Sequence, residues 1–236
     1  MGRIFIEPIG YIENDYKEKF GIPRQSGLSE SVISRVIFED EYKDQNYFKD
    51  IQEFSHIWLI WYFSDVNKKN IKPTVRPPKL GGNRRVGVFA SRSPFRPNRI
   101  GISCVKLIKV DFGYKRITLY VTGADLMNGT PIIDVKPYLP YTDSRPDATN
   151  GFALDDINGL LDIKCNDELL MKIPFDIVDG LFETLKHDPR PSYQNDSERI
   201  YGMTYGDMQV KFKVDGKELT ITDIIWKKNV LSWLLL

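Results

Sequence analysis

Short runs in which apolar and polar residues alternate, punctuated by proline and glycine, fill the first two-thirds of this chain, which is the rhythm of strands and turns. Strands are predicted over residues 4–12, 32–38, 56–63, 85–91, 102–111, 116–122 and 132–135. The clearest is 116–122, RITLYVT, with β-branched and aromatic residues on alternating sides. Seven such strands with little helical period between them predict a mainly β fold. A closed or nearly closed β-barrel is expected, because closure removes exposed edges. The connection 65–84 carries Pro73, Pro77 and Pro78 and is long for a compact domain, the kind of loop that is generally functional or disordered.

The pattern changes after Gly151. Residues 151–190 hold nine acidic and four basic side chains, and a helix is signalled there. Pro174 lies near its start and Asp176 in its first turn, with Ile177, Leu181, Phe182 and Leu185 on one stripe. A hairpin follows, 209–214 and 218–224, joined through Asp215-Gly216. These features predict a smaller C-terminal α+β domain, dividing the chain into 1–151 and 152–236 with Asn150-Gly151 as the hinge. The apolar end, 230–236, is too short for a membrane anchor and is expected to dock on the domain or on a partner subunit.

Composition narrows the classes. The longest unbroken apolar run, 57–63, is seven residues, against the roughly 20 that span a bilayer. No signal stretch opens the chain, and two cysteines, Cys104 and Cys165, suit neither a disulfide framework nor a thiolate zinc site. The expectation is a reduced, cytoplasmic protein without a metal. The net charge of +1 hides a division. Residues 66–110 contain twelve Lys and Arg and no Asp or Glu, so the remainder holds 21 basic against 32 acidic residues. A cationic block of this kind points to a polyanionic partner, the alternative being ion pairing with acids elsewhere in the fold.

Familiar chemistries fail on inspection. No two glycines are spaced G-x-G, and Gly82 and Gly87 have P-loop spacing but are followed by Val88 where lysine is required. No G-x-S-x-G elbow exists. His56, at the edge of an apolar strand, reads as a core or rim residue, and His187 as a cation at a helix end. Three segments instead look built for more than folding: FGIPRQSGL at 20–28, VRPPKLGGNRRVGVFASRSPFRPNRIGIS at 75–103, and DLMNGTPIIDVKPYLPYTD at 125–143. In the second, proline and glycine hold an extended backbone from which arginines project, suited to bidentate contact with phosphate or base edges. In the third, Asn128-Gly129 makes a turn that a ligand can approach, and Asp125 and Asp134 flank it.

Together these segments resemble the TrmO (TsaA-like) family, S-adenosylmethionine-dependent tRNA methyltransferases with a β-barrel catalytic domain. The similarity runs over 9–148 and includes YKEKFGIPRQSGL, EFSHIWLI and NGTPIIDVKPYLP; DPRPSY at 188–193 matches a C-terminal signature of bacterial members. The resemblance implies N6-methylation of N6-threonylcarbamoyladenosine next to the anticodon of threonine tRNA, by a homodimer holding S-adenosylmethionine near its subunit interface. It assigns cofactor contact to Gln25, Ser26, Gly27, Phe63, Ser64, Arg92, Ile102, Gly129, Thr130, Pro131 and Ile132. Arg76, Lys79, Arg84, Arg85, Arg96 and Arg99 are the expected RNA-binding cations. Ser64 stands where many relatives have histidine, and Arg99 replaces a proline, adding a cation and freeing an N–H.

Methyl transfer from a sulfonium is an in-line displacement with a neutral leaving group, governed by positioning and electrostatics. The acceptor nitrogen is a poor nucleophile while protonated. Asp134 or Asp125 is expected to take that proton, or Arg92 and its neighbours to stabilise the anion while solvent takes it. Two rivals share the cationic block: a non-enzymatic RNA-binding barrel using Phe89, Phe95 and Tyr138, and a methyltransferase for another acceptor. Binding of S-adenosylmethionine alone separates the first from an enzyme.

Overall fold

A computed structural model describes residues 2, 4–67, 71–77, 84–153, 159–190, 194 and 196–227. In chain order the strands are β1 (Gly10–Glu13), β2 (Ser34–Phe38), β3 (His56–Tyr62), β4 (Thr74–Val75), β5 (Val86–Gly87), β6 (Ile100–Phe112), β7 (Ile117–Thr122) and β8 (Pro131–Pro137). After the short helix α1 (Pro140–Asp143) come β9 (Asp162–Lys164), α2 (Asp167–Leu170), α3 (Val178–Lys186), β10 (Tyr201–Tyr205), β11 (Met208–Asp215) and β12 (Glu218–Trp226).

Six strands close an antiparallel barrel in the order β1-β2-β7-β6-β3-β8, as the alternating pattern predicts. Ile57, Leu59 and Trp61 of β3 and Ile117, Leu119 and Val121 of β7 point inward, packing with Ile12, Val36, Val105 and Ile132. Phe48, edge-on to Phe38 with ring centroids 4.6 Å apart, joins this core from the connection between β2 and β3.

Two predicted strands differ. Of 4–12, only residues from Gly10 onward are strand, because β2 ends at Phe38 opposite Gly10 and the chain then turns into a 3-10 helix at Asp40–Tyr42, leaving the earlier residues little to pair with on that side. Ile4 and Phe5 are exposed. The run 85–91 is not a barrel strand. β5 forms a two-stranded ribbon with β4, then turns into a 3-10 helix at Val88–Ala90, since a barrel closed by six strands offers no edge for a seventh.

The C-terminal unit is a sheet of order β10-β11-β12-β9, with β9 parallel to β12. The predicted helix is α3, with Leu181 and Leu185 buried against Met203, Tyr205, Val210 and Phe212, but it begins only at Val178, so Pro174 and Asp176 precede it and Asp179 is the acid of its first turn. The predicted hairpin is β11–β12, turning at Gly216 with φ of 56°. The apolar end 230–236 lies outside the described residues.

Strand direction places the site. β1, β3 and β7 run toward one rim, and β2, β6 and β8 leave from it. The connections 14–33, 63–99 and 123–130 therefore share that rim, and each carries one of the three segments singled out above. Nothing in their separation along the chain requires this; the strand order does.

Candidate active site

At this rim lies a cavity of about 300 Å³, lined by Pro23, Arg24, Gln25, Trp61, Phe63, Ser91, Arg92, Arg96, Ile100, Gly101, Ile102 and Asp125. Its floor is aromatic: Trp61 and Phe63 meet edge to face, ring centroids 4.2 Å apart. The size falls within the range of small-molecule sites.

A buried polar chain runs along one wall. Trp61 Nε1 donates to Ser103 Oγ at 3.0 Å, and the Ser103 hydroxyl donates to Asp125 Oδ1 at 2.5 Å. Burial pushes the Asp125 carboxyl above the usual carboxylate range, opposed in part by Ser103, the Arg92 charge and the Ser26 backbone N–H. Above it, the Arg92 guanidinium donates to Gln25 Oε1. The Gly27 N–H donates to the Gly123 carbonyl at 2.8 Å, clipping the 20–28 segment to the barrel. Gly27 and Gly123 both have positive φ, and a Cβ on Gly123 would crowd the Gly27 backbone.

Of the expected cofactor residues, Gln25, Phe63, Arg92 and Ile102 line the cavity, and Ser26 and Gly27 adjoin it. Ser64 is exposed beyond the end of β3 and is not in the lining. Gly129, Thr130, Pro131 and Ile132 sit at the same rim outside that lining. There the Gly129 N–H donates to the Ile12 carbonyl, the Thr130 hydroxyl donates to the Met127 carbonyl, and the Ile132 side chain is part of the barrel core.

The two carboxylates part company. Asp125 lines the cavity, whereas Asp134 opposes Ile60 on the barrel wall and pairs with Lys136 at 2.8 Å. Asp134 is not among the residues that line this cavity.

Among the expected RNA-binding cations, Arg76, Arg84 and Arg85 are exposed and Arg96 is half-buried, donating to the Ser91 carbonyl at 3.0 Å. Lys79 lies outside the described residues. Arg99 departs from expectation. It is 8% exposed, donates to the Val66 carbonyl and stacks 4.6 Å from the Tyr62 ring centroid, so its guanidinium is engaged by the loop itself. Its N–H is not free but donates to the Arg96 carbonyl at 3.3 Å, and its φ of 51° is one that proline cannot adopt. Among the described cations of 66–110, Lys106 alone forms an ion pair, with Glu30 at 3.8 Å. Among the described residues, internal pairing does not account for the block.

Residues 11–144 match the tRNA-methyltransferase O N-terminal domain and 164–227 the TrmO C-terminal domain. The chain belongs to the TrmO family. It is 36% identical over 222 residues to the tRNA (adenine(37)-N6)-methyltransferase of Escherichia coli K12, covering 91% of this chain and 94% of that one. It is 42% identical over 163 residues to the tRNA (adenine(37)-N6)-methyltransferase of Eikenella corrodens, covering 69% and 92%. A crystal structure of TrmO from Pseudomonas aeruginosa superposes with a TM-score of 0.78 at 27% identity, covering 96% of this chain and 98% of that one.

Within this TrmO-family barrel, Trp61, Gly101 and Ser103 were not foreseen from sequence. Trp61 lies opposite Gly101 across β3 and β6, and a Cβ there would overlap the indole ring carbons. Ser103 occupies an inward position of β6 otherwise suited to apolar residues, which was its only signal. Gly101→Val is expected to push the indole into the cavity and to cost about 1–3 kcal/mol by overpacking. Denaturant unfolding checks the cost, and a wild-type midpoint together with unchanged tryptophan fluorescence contradicts it.

Proposed function

We propose that this chain transfers a methyl group from S-adenosylmethionine to N6 of adenine 37 in tRNA, and that its acceptor is N6-threonylcarbamoyladenosine of threonine tRNA. The observation that carries this reading is the meeting of Gln25, Arg92 and Asp125 over an aromatic floor at the rim cavity. The donor set fits the cofactor. Arg92 and Gln25 suit its carboxylate, while Asp125 with the Trp61 and Phe63 rings suits its positive charge. When bound, S-adenosylmethionine supplies an electrophilic methyl carbon on a sulfonium.

In this reading Asp125 accepts the acceptor nitrogen's proton, and its raised pKa brings it nearer the operating pH of a base. Arg92 faces that carboxylate and can stabilise negative charge as it develops. In this reading residues 1–151 form the catalytic domain and 152–236 a smaller support. A tRNA substrate puts the activity in the cytoplasm; among the described residues no helix is long and apolar enough to cross a membrane. Mass spectrometry of tRNA nucleosides from cells with and without the chain tests the reaction, and an unchanged nucleoside profile rejects it.

Arg76, Arg84, Arg85 and Arg96, beside the 78%-exposed Phe89, form the proposed anticodon-loop surface. Replacing Arg76, Arg84 and Arg85 together by glutamine is expected to weaken tRNA binding and to flatten the log–log salt dependence by roughly one unit per lost phosphate contact. Unaltered slopes in filter-binding titrations argue against that surface.

A homodimer is proposed to form through the outer face of β3 and β6, where register pairs Trp58 with Cys104 and Ile60 with the 53%-exposed Ile102. Ile102 also lines the cavity, so this interface would adjoin the site. Sedimentation equilibrium giving a monomer at working concentration rejects it.

A further inference from the structure

Residues 14–33, connecting β1 to β2, contain neither helix nor strand, yet their course is fixed by the C-terminal unit. Tyr16 and Val32 are buried in that unit's apolar cluster, with Phe20 and Ile22 packed against it. Before the apex of this connection, the Gly206 N–H donates to the Asp15 carbonyl at 2.9 Å and the Thr204 N–H to Glu18 Oε1 at 2.6 Å. At the apex, the Arg24 guanidinium donates to the Arg190 carbonyl at 2.9 Å, next to Gln25. After it, Glu183 Oε2 on α3 accepts from Ser29 Oγ at 2.9 Å and from the Ser31 N–H at 2.6 Å. The apex itself meets the barrel through Gln25, Ser26 and Gly27.

The connection is thus a strap with apolar flanks in one unit and a polar apex over the cavity of the other. Apolar packing fixes its flanks but sets no fine orientation. Directional bonds to backbone N–H groups do, and those to an ionised acceptor are the strong ones. Burial alone would raise the Glu183 carboxyl, but the N–H groups of Ser31 and Glu30 and the Ser29 hydroxyl outweigh it and hold the group below the usual range. It is ionised at neutral pH.

We infer that Glu183 is a positioning residue: by holding residues 29–31 from the C-terminal unit, it sets where Gln25, Ser26 and Gly27 stand at the cavity. This rests on the reading of that cavity as the S-adenosylmethionine site. The C-terminal unit then contributes to donor binding without touching the donor.

Calorimetric titration of the full chain with S-adenosylmethionine, paired with initial-rate kinetics, tests this for wild type, Glu183→Ala and Glu183→Gln. For Glu183→Ala, affinity is expected to fall about tenfold, with KM for S-adenosylmethionine rising alike, the loss of a charge-assisted bond. kcat at saturation and KM for tRNA should stay within about twofold, and Glu183→Gln, which keeps an acceptor oxygen, should recover part of the affinity. Melting curves establish that each variant is folded, and Glu183→Gln carries the test if alanine is not. A wild-type chain that does not bind S-adenosylmethionine overturns the cavity reading itself. Wild-type binding with both variants unchanged overturns only the role of Glu183. Parallel loss of kcat and of both KM values marks a merely structural contact and overturns it too.

Discussion

Arg92→Ala is expected to lower kcat/KM for methyl transfer by about 10²–10³-fold, the scale of losing one preorganised charge-stabilising donor. Stability should stay within about 0.5 kcal/mol of wild type, because the side chain is exposed and supports no core contact. The size of the effect follows from what converges on the guanidinium. It bonds to Gln25 on the strap and faces the Asp125 carboxylate, so one group ties the 20–28 segment, the arginine segment and the 125–143 segment together. Arg92→Lys keeps the charge but not the planar fork, and should recover part of the activity and less of the S-adenosylmethionine affinity. Single-turnover measurements with both substrates saturating are decisive. Near-wild-type rates for the alanine variant would take Arg92 out of the chemistry.

The barrel was legible where one physical signal sufficed. In β7, ITLYVT alternates so strictly that its inward residues, Ile117, Leu119 and Val121, could be read before any partner was known. The same alternation misled at 85–91. Strand formation needs a free edge as well as a pattern, and closure by six strands supplied none. At 4–9 the limit was the length of a neighbour, since β2 ends at Phe38, opposite Gly10. The site divided the same way. Its segments announced themselves by proline, glycine and arginine, but their convergence depends on which strands run toward which rim. Trp61 against Gly101 is a matter of register, and Ser103 against Asp125 joins two loops' worth of chain through a single bond. The charge of 66–110 was plain, but the inward turn of Arg99 was not, because a backbone carbonyl at Val66 and the Tyr62 ring decide it.

Asp125→Asn should separate catalysis from stability in opposite directions. Activity is expected to fall by about 10²–10⁴-fold if the carboxylate accepts the proton from the acceptor nitrogen. Wild-type kcat/KM should decline on the acid side with an apparent pKa above the ordinary carboxylate range, and the asparagine variant should lack that limb, because burial raises this group. Stability follows from the same shift with the sign reversed. A carboxyl whose pKa is raised on folding holds its proton in the native state after the unfolded chain, near 3.9, has released it. Native stability therefore falls as pH rises from the unfolded value through the folded one. Asparagine does not titrate, so the difference in Tm between variant and wild type should shift in the variant's favour from pH 3.5 to about 7. Melting curves across that range and a pH–rate profile read the two effects independently. A variant that keeps its activity yet shows the Tm trend would assign Asp125 to electrostatics alone, with solvent taking the proton beside Arg92. Loss of activity without the trend would mean the carboxylate is not desolvated, and the raised pKa invoked for the base would lose its physical basis.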